Sequence, residues 1–80
     1  MKILSARLKK LRLEYGWSQE AVARKLELTL RTYCRYEVEG AEPKLSALIK
    51  MADLYEVSID YLAGRTDRRE FESANKQAEP

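Results

Sequence analysis

The chain has 80 residues, with 15 Lys and Arg against 13 Asp and Glu, 45% hydrophobic residues, one cysteine and no histidine. This length suits one small globular domain with only a few kcal/mol of net stability. The lack of histidine excludes a His-dependent catalytic triad, and one cysteine can form neither an internal disulfide nor a four-thiolate metal site. We therefore expect an apolar core, no enzyme activity, no metal and no cofactor.

Membrane and export signals are also missing from the sequence. No apolar run approaches the roughly 20 residues that cross a bilayer, and the N-terminus lacks a signal-peptide apolar region of about 7–15 residues. A lone thiol is typical of a reducing compartment. We expect a cytoplasmic protein with no membrane partner and no evident small-molecule ligand. Its net charge of +2 divides unevenly, because residues 1–43 carry +3 and residues 44–80 carry −1.

Two helices separated by a glycine are predicted at the start of the chain. Apolar side chains recur at intervals of three or four residues, at Leu4, Leu8, Leu11 and Tyr15. This spacing predicts an amphipathic helix over residues 3–15. Gly16 follows, where helices commonly end in the left-handed conformation, and Ser18 has the chemistry of an N-cap. A second helix is therefore predicted over about residues 18–26.

Three further helices are predicted from similar start and stop signals. Thr29 is the expected N-cap of a third helix over residues 30–38, so that two short helices flank a tight turn. A fourth helix from Lys44 is expected to be the most buried. Its wide apolar stripe comprises Leu45, Leu48, Ile49, Ala52 and Tyr55. Ser58 is the expected N-cap of a fifth helix, which Gly64 ends.

The composition changes after residue 64. Residues 65–80 carry one aromatic side chain, Phe71, among charged and small polar residues. This composition predicts a domain over residues 1–64 and a flexible charged tail beyond it. The alternative is a short helix over residues 68–76, with Phe71 against a partner.

Several motifs follow one another in a set order along residues 3–64. They are Ser18-Gln19-Glu20, Tyr36-Glu37 and a closing Val57-Ser58-x-Asp60-Tyr61-Leu62-x-Gly64. In this order they resemble the phage-repressor and Cro type of helix-turn-helix, often called the XRE family. The resemblance implies an all-α, compact five-helix bundle like that of lambda repressor, with the helix-turn-helix in helices 2 and 3. It also implies a sequence-specific regulator of transcription, a repressor, that binds double-stranded operator DNA as a homodimer.

The resemblance assigns base reading to the start of the third helix, which would lie in the major groove. The candidate base-reading residues are Thr29, Leu30, Arg31, Thr32 and Arg35. Arg31 and Arg35 share one helix face, where each could bind the O6 and N7 atoms of a guanine. Leu30 offers only apolar contact, as with a thymine methyl. The alternative is that both arginines form a solvated face that touches phosphates alone.

Contacts with backbone phosphates are expected from Ser18, Gln19 and Lys44. Gln19 opens the second helix, where similar proteins place a glutamine against a phosphate beside the positive end of the helix. The alternative for Gln19 is an exposed helix residue.

The loop after the third helix is commonly basic in relatives but carries Glu39 and Glu42 here. We therefore expect few phosphate contacts and a slope of log K against log salt no steeper than about −7.

The resemblance also pairs Arg12 with Glu37, which would link the first helix to the end of the third. A partly buried pair would fix the third helix, whereas an exposed pair would contribute little.

Three positions where the family usually has glycine carry glutamate: Glu27, Glu39 and Glu56. A left-handed glutamate costs about 1 kcal/mol, unless Gly40 takes over the role of Glu39.

Trp17 and the tyrosines are interpreted as core residues rather than as a stacking platform for single-stranded nucleic acid. Cys34 lies on the third helix away from the expected core side. No second cysteine or histidine in the sequence supports a redox switch there.

The alternative function is a protein-interaction module, such as an antitoxin or anti-repressor component. Such a module would use Leu30 and the acidic loop against another protein. In the leading interpretation, dimerisation is expected through the fifth helix and the segment after it.

Overall fold

The computed structural model describes residues 1–70. Five α-helices follow one another in this part of the chain: α1 (Lys2–Tyr15), α2 (Gln19–Lys25), α3 (Leu30–Glu37), α4 (Leu45–Tyr55) and α5 (Ile59–Ala63). No strand occurs among these residues. The predicted all-α bundle of five helices is confirmed, and each helix starts close to its expected position.

Local side-chain chemistry determines where several helices begin. The Ser18 hydroxyl accepts a hydrogen bond from the N–H of Ala21 at 3.0 Å, and the Ser58 hydroxyl accepts one from the N–H of Tyr61 at 2.9 Å. Thr29 caps α3 in the same manner. Each cap satisfies an N–H group that the first turn of a helix leaves without a partner. These helix starts are therefore encoded by the residues beside them.

The core lies where the apolar faces of the helices meet. The buried apolar side chains are Leu4, Leu8, Leu11, Val22, Ala23, Leu26, Tyr33, Met51, Ala52, Tyr55, Val57, Tyr61 and Leu62. The hydroxyl groups of Tyr33 and Tyr55 approach to 3.4 Å inside it. The interpretation of the tyrosines as core residues is confirmed for Tyr33, Tyr55 and Tyr61.

Two of the three glutamates at family glycine positions adopt the left-handed conformation. Glu27, in the turn after α2, has φ 61°, and Glu56, after α4, has φ 56°. Gly40, with φ 79°, takes the left-handed position in place of Glu39. Steric strain of about 1 kcal/mol per residue is therefore confined to two places rather than three.

The apolar stripe of α4 is only partly covered, so the expectation that this helix is the most buried is wrong. Leu45 and Ile49 are 65% and 41% exposed, whereas Met51, Ala52 and Tyr55 are buried. The rest of the domain covers mainly the C-terminal half of α4. A wide apolar stripe on a helix is buried only where another part of the chain packs against it.

Residues 65–70 lie against the domain, although the predicted boundary separates them from it. The Arg7 guanidinium of α1 donates to the Asp67 carboxylate at 2.8 Å. Arg69 makes two hydrogen bonds of 2.8 Å to the Glu14 carboxylate, also on α1. These contacts attach the first part of the predicted tail to the first helix.

The rest of the predicted tail cannot be placed in the same way. Residues 68–70 are not helical, and Phe71 and the remainder of the alternative helix over 68–76 lie outside the described residues. Within residues 1–70, no helix combines the length and the hydropathy needed to cross a membrane.

Candidate nucleic-acid interface

Helices α2 and α3 pack around a short turn that apolar burial and one backbone bond hold in place. Leu26 is buried at the end of α2, and the N–H of Leu28 donates to the Ala23 carbonyl at 2.8 Å. Thr29 then caps α3. The two helices therefore contact each other on their inner sides, and the outer side of α3 stays accessible.

The outer face of α3 carries two arginines and a valine. Arg31, Arg35 and Val38 follow at intervals of four and three residues and so share one face of the helix. Both arginines are exposed, and Val38 is 65% exposed. Tyr33 and Glu37 are buried on the opposite face. Among residues 1–70, neither arginine forms a salt bridge, so both guanidinium groups are available to a ligand.

The polar and apolar residues at the start of α3 differ in what they can offer. The Thr29 hydroxyl accepts the N–H of Thr32 at 3.1 Å and also bonds the Thr32 hydroxyl at 2.9 Å. Because the Thr29 hydroxyl is engaged in these two hydrogen bonds, its main role in the structure is to cap α3. Thr32 is half-buried, whereas Leu30 is 42% exposed. Four of the five predicted base-reading residues therefore lie on α3, and the fifth, Thr29, is its N-cap, but the five are not equally accessible.

Arg12 and Glu37 form an ion pair that joins α1 to the last turn of α3. The guanidinium donates to the two carboxylate oxygens over N···O distances of 2.9, 3.2 and 2.8 Å. It also donates to the Trp17 carbonyl at 3.0 Å. The Arg12 and Glu37 side chains are 12% and 1% exposed. The structure thus places these two residues together, in the buried arrangement rather than the exposed one.

Hydrogen bonding keeps Glu37 ionised despite its position. Burial raises the pKa of its carboxyl group, but hydrogen bonds from Arg12, Tyr33 and Gln19 outweigh burial and hold that pKa below its usual range. Burial and the bond with Tyr55 raise the pKa of Tyr33, which therefore stays a neutral hydroxyl. A buried negative charge consequently faces the start of α2 at neutral pH.

Gln19 has partners in the domain, unlike the exposed residue of the alternative interpretation. Its Nε2 donates to Glu37 Oε2 at 3.2 Å, and its Oε1 accepts the Cys34 thiol at 3.7 Å. Ser18, beside it, is exposed and caps α2. A cleft of about 500 Å³ opens there, lined by Lys9, Arg12, Ser18, Gln19, Glu37 and Val38.

Lys44 lies at a second cleft, between α3 and α4. It is exposed and precedes α4 in an extended conformation, without a side-chain cap on that helix. The first N–H groups of α4 are therefore left without partners inside the helix. The cleft is lined by Leu26, Glu27, Leu28, Thr32, Tyr36, Lys44, Ser46, Ala47 and Lys50. Lys50 and Glu27 form an exposed pair across it, with N···O 3.7 Å.

The acidic loop after α3 folds back on that helix. The N–H of Ala41 donates to the Arg35 carbonyl at 2.9 Å. Glu39 and Glu42 are both exposed. Two exposed negative charges therefore follow the C-terminal end of α3.

Trp17 is enclosed by other side chains. Its ring centroid lies 4.5 Å from that of Tyr15, and the Lys25 ammonium lies 4.6 Å from its centre. The ring is half-buried against the core. This packing supports the interpretation of Trp17 as a core residue.

Two features of the site were missed in the sequence. The spacing that places Val38 in line with Arg31 and Arg35 was available as an i, i+4, i+7 pattern. The contact between Cys34 and Gln19 had no such signal, because it joins two helices across the turn.

Two short capped helices that pack around a tight turn, with an exposed basic face on the second, define a helix-turn-helix protein. Residues 8–62 match the helix-turn-helix family, and the chain belongs to it. The resemblance predicted from the sequence motifs is confirmed.

Curated relatives come from Bacillus subtilis (strain 168). The uncharacterized HTH-type transcriptional regulator YobD is 39% identical over 61 residues, which are 76% of this chain and 54% of that protein. The HTH-type transcriptional regulators ImmR and AnsR are each 36% identical over 64 residues, 80% of this chain, and 50% and 55% of those proteins. The chain thus spans about half the length of these relatives. Among solved structures no match was found.

Proposed function

We propose that this protein binds double-stranded DNA through α3 and regulates transcription, as a repressor acting in the cytoplasm and without catalytic activity. One observation carries the proposal. Arg31 and Arg35 are exposed side by side on α3, while the buried Arg12–Glu37 pair anchors the opposite face of the same helix. A major groove about 12 Å wide admits one such helix, and an arginine there can bind guanine with two hydrogen bonds.

The two clefts beside α3 support contacts with the DNA backbone. One contains Ser18 and Gln19, and the other contains Lys44. A helix in the major groove has a phosphate strand on each side, so each cleft would serve one strand. These contacts would fix the register of α3, whereas Arg31 and Arg35 would select the bases.

Base reading is tested by comparing variants on selected and unrelated DNA. Duplexes are first selected from a random pool with the native protein, and affinities are measured by fluorescence anisotropy. Arg31→Ala and Arg35→Ala are each expected to lose about 5- to 150-fold in affinity for the selected duplex, the value of roughly 1–3 kcal/mol per bidentate contact. They should lose little on unrelated duplexes. Lys10→Ala, which removes an exposed charge on α1, is the matched control.

The outcome separates this function from the alternative. Equal losses on every duplex would reduce the arginines to phosphate contacts. If neither variant alters binding to any duplex, the protein-interaction module becomes the better proposal. Exposed Leu30 and the acidic loop would then be the surface to probe.

Phosphate contacts are tested by salt titration of the same complexes. Each neutralised phosphate contributes about −0.9 to the slope of log K against log salt. Lys44→Ala should make the slope shallower by about that amount, whereas Lys10→Ala should leave it unchanged. Because Glu39 and Glu42 offset nearby positive charge, a slope steeper than about −7 for the native protein would contradict the proposed contact set.

We also propose that the protein binds its operator as a homodimer. Two copies would place their α3 helices in half-sites about one helical turn apart. Tyr61 and Leu62 of α5 are buried inside the domain, so the apolar side chains available to a second copy include Leu45 and Ile49 of α4. Sedimentation velocity of the protein with a palindromic duplex should give two chains per duplex. One chain per duplex at saturation would rule the dimer out.

A further inference from the structure

The Gln19 amide is held at both of its ends. Its Nε2 donates to the Glu37 carboxylate at 3.2 Å, and its Oε1 accepts the Cys34 thiol at 3.7 Å. An ionised carboxylate only accepts hydrogen bonds, and a thiol beside an oxygen serves as the donor. The two partners therefore require opposite ends of the amide, and they select one of its two orientations.

Glu37 is itself held by several hydrogen bonds. Three hydrogen bonds from Arg12 hold its carboxylate, and its side chain is 1% exposed. The Gln19 side chain is therefore hydrogen-bonded to a buried, well-held carboxylate of α3 rather than to a surface residue. Cys34, half-buried on the same helix, holds the other end of the amide.

One donor of Gln19 is left over. An amide nitrogen carries two protons, and one of them is used by Glu37. Within residues 1–70, no hydrogen bond takes the second proton. Gln19 also lines the cleft that contains Lys9 and Ser18, whose side chains are exposed. The unused proton belongs to a side chain at the edge of this polar cleft.

We propose that Glu37 and Cys34 are positioning residues for Gln19, which they hold so that its unused Nε2 proton is presented to a DNA phosphate in this cleft. The inference rests on the proposed DNA-binding function. Ordering a long side chain on binding costs affinity, and a side chain ordered beforehand avoids that cost. Cys34 acts through the amide and makes no contact with DNA.

The test is a double-variant cycle on a mixed-sequence duplex of about 20 base pairs at low salt, where phosphate contacts dominate binding. Gln19→Ala should weaken binding about tenfold or more, because a hydrogen bond to a charged group is lost. Cys34→Ala should weaken it about two- to tenfold. Cys34→Ser, which keeps a donor, should stay within about twofold of the native protein. In the Gln19→Ala background, Cys34→Ala should have no further effect.

A second measurement is independent of DNA. Three residues carry side-chain amides, Gln19, Asn75 and Gln77, so the signal of Gln19 in ¹⁵N-labelled protein is assigned as the one that the Gln19→Ala variant lacks. The Gln19 Nε2 group should be rigid by relaxation measurements in the native protein and in Cys34→Ser. It should be more mobile in Cys34→Ala.

Several results would overturn the inference. One is a Cys34→Ala cost that persists in the Gln19→Ala background, and another is unchanged mobility of the Gln19 amide. If Gln19→Ala binds both the mixed-sequence duplex and the selected duplex like the native protein, while Arg31→Ala weakens binding to the selected duplex, the positioning role fails and the DNA-binding function stands. If the native protein binds no duplex, the function and the inference fail together.

Discussion

Replacement of Arg12 by methionine should destabilise the protein strongly. The substitution keeps an unbranched stem of similar shape but removes the charge that faces Glu37. The Glu37 side chain is 1% exposed and accepts three hydrogen bonds from Arg12, so the variant leaves a buried carboxylate whose remaining partners, Tyr33 and Gln19, are neutral. Breaking a buried pair from one side costs about 3–5 kcal/mol. Because a domain of this size has only a few kcal/mol of net stability, most of it would be lost.

The pair should respond unequally to loss of its two members. Glu37→Gln leaves Arg12, whose side chain is 12% exposed and still donates to the Trp17 carbonyl. Its expected cost is smaller, about 1.5–3 kcal/mol for hydrogen bonds to a charged group. The double variant Arg12→Met, Glu37→Leu leaves no buried charge and should be more stable than Arg12→Met alone.

Urea titrations followed by Trp17 fluorescence measure these differences, because Trp17 is half-buried beside the pair. The pH dependence provides a second check. Since the folded pKa of Glu37 is lowered, its contribution is full above the unfolded pKa of about 4.3 and is lost as the pH falls through the folded pKa. Native stability should therefore fall below about pH 4, and Glu37→Gln should flatten that fall. A cost of Arg12→Met under about 1 kcal/mol would refute the reasoning, because that is the value of an exposed pair.

Three further changes test backbone strain and the contacts of the C-terminal segment, each by thermal or urea unfolding. Glu56→Gly should stabilise the protein by about 0.5–1 kcal/mol, because glycine adopts a φ of 56° without steric strain. Glu56→Ala should give no such gain. Equal gains for both variants would show that removal of the negative charge, rather than relief of strain, is the cause. Gly64→Ala should cost about 1–3 kcal/mol, since its Cβ would lie 2.7 Å from Ile3 Cγ2. Gly16→Ala, with φ 72° and nothing within 4 Å, is its control and should cost less. Ending the chain at residue 64 should lower the free energy of unfolding by about 1–3 kcal/mol, because residues 65–70 make hydrogen bonds to α1 and α5. An unchanged free energy of unfolding would show that these contacts are not formed in solution.

The helices could be predicted because their signals are local. A cap such as Ser18 acts on an N–H three residues away, and apolar spacing along α1 is read within a few turns. The same reasoning overestimated the burial of α4, because Leu45 and Ile49 are apolar but lack a covering neighbour. Burial depends on what packs against a helix, and the sequence of the helix alone does not specify its tertiary neighbours.

The candidate site was predictable only in part. Arg31 and Arg35 are four residues apart on one helix, so their shared face follows from helical geometry. Arg12 and Glu37 are 25 residues apart and were paired by family resemblance alone. The degree of burial, which separates an ion pair of negligible value from one of several kcal/mol, required the folded structure.

The sequence by itself determined the number of helices, the N-caps of α2, α3 and α5, the helix-turn-helix order and the basic face of α3, because each depends on residues within a few positions of one another. Tertiary structure alone decided that Glu37 is buried and holds Gln19, that Cys34 takes the other end of that amide, and that residues 65–70 lie against α1. These contacts join distant parts of the chain. Their energies depend on distance and on exclusion of water, and neither exists until the helices have packed.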